Sequence, residues 1–107
     1  MVIWKIKDKE YNLRLTTRAC TNVEKRLGTN PLNVFSQLRD NELPSISNML
    51  VILHESINTL NHGISFDALC DLYDEYCEDG GDISTLIQLI IELLQDSGIV
   101  PKDLKNQ

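Results

Sequence analysis

Helical spacing governs the apolar positions of this chain from residue 17 onward, whereas the first fifteen residues hold two short β-prone runs. Val2-Ile3-Trp4-Lys5-Ile6 and Tyr11-Asn12-Leu13-Arg14-Leu15, the second alternating apolar with polar, flank the charged Lys7-Asp8-Lys9-Glu10. They predict a β-hairpin over residues 1–15. Two strands alone are marginal in water, so this hairpin needs a helix against its apolar face or strands from another chain. Its open edges offer docking sites.

Thr16 or Thr17 can cap a helix from Thr17 to Leu27, with Ala19, Cys20, Val23 and Leu27 at helical spacing and Gly28 suited to the left-handed turn that follows. Asn30-Pro31 starts a second, short helix carrying Leu32, Phe35 and Leu38, which ends in Arg39-Asp40-Asn41-Glu42. Pro44-Ser45 opens a third, in which Ile46, Met49, Leu50, Leu53, Ile57 and Leu60 form a stripe roughly 100° wide. Asn61-His62-Gly63 stops it. Ile64 and Leu69 make a hydrophobic staple around the cap Ser65 of a fourth helix, which displays Phe66, Tyr73, Tyr76 and Cys77 and stops at Gly80-Gly81. Asp82 caps the last helix, whose polar Gln88, Glu92 and Gln95 form one narrow strip, so it must be covered on most sides. The chain is therefore expected to be mainly α: a short N-terminal β-hairpin followed by a bundle of about four to five helices. It reads as one domain over 1–107, with the helical bundle at 17–97 and a polar, flexible tail at 101–107.

A length of 107 residues, 42% hydrophobic and 24% charged, fits a single globular domain with a modest core. A net charge of −6 argues against nucleic-acid binding, which draws its affinity from clustered Lys and Arg. Cys20, Cys70 and Cys77 show no zinc-type spacing and read as buried free thiols in a reducing cytoplasm. Charges interrupt the early apolar run, so no signal peptide is expected, and Ile83–Leu94 is too short to span a bilayer. No membrane association and a cytoplasmic location are expected.

Candidate chemistry is sparse. His54-Glu55 begins like a HExxH zinc motif, but Asn58 stands where the second histidine belongs. The acidic run Asp71, Asp74, Glu75, Glu78, Asp79 and Asp82 fails the calcium-loop spacing, because a loop starting at Glu75 would put Leu86 in the bidentate carboxylate position. It reads as a solvated helix face. No nucleophile context such as GxSxG and no phosphate-cradling loop is present, since Asp82 follows Gly80-Gly81 and would repel an anion. No catalytic residue, metal ligand or cofactor site is assigned, and the chain is expected not to be an enzyme.

Surplus apolar surface is the positive signal. Leu89 and Ile91 widen the apolar face of the last helix to about 200°, and Val51 and Ile52 lie off the main stripe of the third. These four residues are the expected partner-binding positions. The alternative is a fold that sandwiches both helices between others.

The stretch Tyr11-Asn12-Leu13-Arg14-Leu15-Thr16, with Arg18-Ala19, Val23-Glu24-Lys25-Arg26-Leu27-Gly28 and Asn30-Pro31-Leu32, resembles the start of tail assembly chaperones from long-tailed phages and prophages of Gram-positive bacteria. The resemblance covers about the first third of the chain and rests on a hairpin, a helix ending in Glu-Lys-x-Leu-Gly, and Asn-Pro-Leu. It implies a protein without catalysis that keeps the tape measure protein soluble and helps recruit tail tube protein. It also implies work in the bacterial host cytoplasm and absence from the mature virion. A homo-oligomer fits this reading. The acidic Asp71–Asp82 stretch departs from it and supports an alternative, a small acidic adaptor or nucleic-acid mimic that binds one folded partner. A mimic would display those carboxylates as one contiguous surface.

Overall fold

The computed structural model describes residues 1–100. Strands β1 (Val2–Ile6) and β2 (Lys9–Leu13) form an antiparallel hairpin, followed by helices α1 (Thr17–Leu27), α2 (Leu32–Arg39), α3 (Ile46–Leu60), α4 (Phe66–Glu78) and α5 (Ile83–Ser97). The expected architecture of one hairpin and a helical bundle is what the chain adopts. The tail expected at 101–107 lies outside the described residues.

The hairpin is tighter than its charge pattern suggests. β2 starts at Lys9 rather than Tyr11, leaving only Lys7-Asp8 as the loop, and Lys7 takes the positive φ of 56° that short hairpin loops require. Pairing Val2 with Leu13, Trp4 with Tyr11 and Ile6 with Lys9 sets Val2, Trp4, Ile6, Tyr11 and Leu13 on one face, and that burial outweighs the polarity of Lys9 and Glu10. Arg14 and Leu15 leave the ladder, yet Leu15 is buried beside Leu13 in the core.

Local chemistry explains the helix ends. The Thr16, Ser45 and Ser65 side chains accept hydrogen bonds from the N–H groups of Ala19, Asn48 and Ala68, and Asp82 forms a reciprocal capping box with Thr85. α2 starts at Leu32 with Pro31 in the cap position, one residue later than Asn30-Pro31 suggests, and Asn30 Oδ1 accepts from the Leu32 N–H at 2.9 Å. Gly28 ends α1 with φ 72°, a conformation that side chains disfavour.

α3 is the central element. It packs against α1, β2, α4 and α5, while α5 also meets β1 and α2. Met49, Ile52, Leu53 and Ile57 of α3 and Leu86, Ile90, Leu93 and Leu94 of α5 are fully buried between these layers. Even Ser56 is buried: its Oγ donates to the Ile52 carbonyl, and its own carbonyl accepts the Arg14 N–H at 3.1 Å. Trp4 closes the hairpin face over the helices, with its ring 5.4 Å from Tyr76 and 6.2 Å from Tyr11.

Candidate interaction surfaces

The four expected partner-binding residues separate into two classes. Ile52 and Leu89 belong to the core, which corrects the expectation that they form free surface. The reason is topological: α3 is flanked by four elements and α5 by three, so residues off the main stripe of either helix still meet a neighbour. Val51 and Ile91 remain half-buried. Ile91 shares an i, i+4 row with half-buried Ile87 and exposed Ile83 at the solvent margin of α5.

Apolar surface also lies where periodicity does not point. Leu43 is 68% exposed and Ile46 47%, and only Pro44 and Ser45 separate them at the α2–α3 connection. Ile3 is 56% exposed on the outer face of β1. Its parity, opposite to Val2 and Trp4, is the signal that places it outside. Leu43 has no periodic signal, since it sits between helices.

The acidic residues follow a clear pattern. Asp67, Asp71, Asp74, Glu75 and Glu78 are all exposed and fall within an arc of about 100° on α4, in a row about 16 Å long. Asp79 and Asp82 have structural duties. Asp79 Oδ2 accepts the Lys7 N–H at 2.7 Å, and Asp82 caps α5.

Arg26, His54, Glu55 and Phe66 join α1, α3 and α4. Arg26 donates to Glu55 at 2.9 Å and to His54 at 2.8 Å, and its guanidinium lies 5.6 Å from the Phe66 ring centroid. A groove of about 490 Å³ runs beside them between α1 and α3, lined by Thr16, Arg18, Asn22, Glu55, Asn58, Thr59 and His62 among others. Its polar groups are largely committed to each other: Asn22 donates to Glu55, Thr59 to the Glu55 carbonyl, and Asn58 to the carbonyls of His54 and Ile64. Such a groove is a helix–helix seam that orders its own side chains. Burial, and then Glu24, push the Cys20 thiol up; desolvation, and then Asp67, Asp74 and Asp71, do the same at Cys70. Both shifts disfavour the thiolate that nucleophilic or metal chemistry needs. Among the described residues, no three His, Cys, Asp or Glu side chains come together to hold a metal, and no helix is long and apolar enough to cross a membrane.

Among known families, one described as a family of unknown function, DUF6096, matches residues 2–107. No curated protein and no solved structure matches the chain.

Proposed function

The chain belongs to that family, DUF6096, and from its own surfaces we propose that it works without catalysis, by binding other polypeptides, as a phage tail assembly chaperone. In this role it holds the tape measure protein soluble and helps recruit tail tube subunits in the bacterial cytoplasm. The observation that supports this reading is the exposed pair Leu43 and Ile46, apolar side chains left uncovered after the core is complete. An extended helical client offers apolar faces that such a patch can cover, while the net charge of −6 keeps the complex in solution. Co-expression with the tape measure protein of the same genome tests it. The expected result is a rise in soluble client that Leu43→Asp with Ile46→Asp abolishes; unchanged client solubility would overturn the role.

One observation favours a second reading. The carboxylates of α4 stand in a single exposed row, the arrangement a nucleic-acid mimic needs to occupy a basic site. In that case the chain would displace DNA from one folded, basic partner. Replacing Asp71, Asp74 and Glu78 by their amides would abolish the displacement and leave client solubility untouched.

A further inference from the structure

Asp79-Gly80 is the one place in the sequence where an Asp or Asn precedes a glycine. The pair is chemically reactive, because a glycine has no Cβ to hinder its own nitrogen as it attacks the preceding side chain. Attack joins the Gly80 nitrogen to Cγ of Asp79. One carboxylate oxygen leaves as water, taking the Gly80 proton and one from solvent, and a cyclic imide remains. Water then opens the imide at either carbonyl. Opening at the Asp79 main-chain carbonyl leaves the chain running through Cγ, an isoaspartate, and returns one proton to solvent.

Both residues are exposed at the end of α4, yet the folded backbone there opposes ring closure. The Gly80 nitrogen must eclipse Cβ of Asp79, whereas the Asp79 ψ of 14° turns it toward the Asp79 nitrogen instead. Two hydrogen bonds fix that angle: the Gly80 N–H donates to the Cys77 carbonyl at 3.2 Å and the Gly81 N–H to the Tyr76 carbonyl at 2.8 Å. The carboxylate is held as well. Its Oδ2 accepts the Lys7 N–H at 2.7 Å, from the loop of the hairpin. Trp4 of the same hairpin sets its ring 5.4 Å from that of Tyr76, about one helical turn before Asp79.

We propose that Asp79-Gly80 is a latent modification site that the docked hairpin keeps closed. While β1 lies on α4, the attacking nitrogen and the carboxylate are both pinned. When the hairpin lifts, Asp79 loses Lys7, the last turn of α4 opens and the imide forms. The product does not restore the contact, because isoaspartate adds a methylene to the main chain and leaves its carboxylate directly on Cα, drawn back from the Lys7 N–H. This chemistry is independent of the chaperone role, since it uses neither Leu43 nor Ile46.

Asp79→Asn gives the reaction a fast readout. The same attack then expels ammonia, and mass spectrometry of the digested chain sees the amide become a carboxyl group, while the Asn oxygen can still accept the Lys7 N–H. At neutral pH the folded variant should deamidate at least about tenfold more slowly than the same chain in urea. Adding Trp4→Ala, which removes the ring that seats the hairpin on Tyr76, should raise the folded rate at least about threefold with helical circular dichroism retained. Tyr11→Ala, at a half-buried position beside Trp4, should act in the same direction and keeps the test decisive if the larger change unfolds the chain. With Asp79 in place, isoaspartate found by enzymatic methylation after long storage should follow the same order. Equal rates in the folded chain and in urea would overturn the proposal. So would protection that Tyr11→Ala leaves unmoved, which would assign it to the end of α4 alone.

Discussion

Arg26 on α1 donates from Nη1 to Nδ1 of His54 on α3 at 2.8 Å. A guanidinium has only donors, so Nδ1 must be the acceptor, and the proton sits on Nε2, which donates to the Ile64 carbonyl at 2.6 Å. His54 thereby joins α1 to the turn before α4. Nitrogen chemical shifts of the imidazole should report the Nε2–H tautomer, and Arg26→Ala should mix the tautomers by removing the donor that selects one.

The same arginine offers a stability test. Its partner Glu55 is only 18% exposed at the side chain, so Arg26→Ala leaves a partly buried carboxylate unpaired and strips the guanidinium from the Phe66 ring. Urea denaturation should show a loss of about 1–2 kcal/mol. Arg26→Lys should recover only part of it, because an ammonium keeps the charge but not the flat stack.

Neighbouring residues on α3 should respond in opposite ways. Ile52 is fully buried and Val51 half-buried. Ile52→Ala should cost about 2–5 kcal/mol by opening a cavity, whereas Val51→Thr should cost under about 1.5 kcal/mol. Equal losses in thermal melts would contradict the burial of Ile52 within the α3 contacts.

Gly81 is constrained by space rather than by backbone angle. A Cβ there would press directly on the Tyr76 ring, which is held between Trp4 and Tyr73 at centroid distances of 5.4 and 5.9 Å. Gly81→Ala should cost about 1–3 kcal/mol as the aromatic cluster shifts. Near-ultraviolet circular dichroism should change with it, since the Trp4 environment moves.

Alkaline pH should loosen the same cluster. Burial, and then the Cys77 thiol, push the Tyr73 hydroxyl from 10.0 up to about 12. The folded value lies above the unfolded one, so the stabilisation from the neutral phenol is complete below pH 10.0 and is lost as pH rises through about 12. An ultraviolet titration should show the Tyr73 phenolate forming late, and Tyr73→Phe should remove that late step.

Much of this fold is legible from residue to residue. Thr16, Ser45, Ser65 and Asp82 cap the helices where their side chains can reach nearby N–H groups, and Gly28 ends α1 because only a few residues tolerate its backbone angle. Both effects act within a few positions along the chain, so a sequence alone determines them. It also determines that the α4 carboxylates share one face, since helical geometry sets that arc.

Which apolar side chains stay at the surface is decided only in three dimensions. Ile52 and Leu89 look like surplus when each helix is taken alone, yet α3 and α5 are wrapped by several neighbours and both residues are lost to the core. The start of β2 at Lys9 and the closed edge at Asn12 likewise depend on partners far along the chain, Val2 through Ile6 for one and Asn61 for the other. Burial is a property of the space between elements, and no periodicity within one element records how many others will surround it.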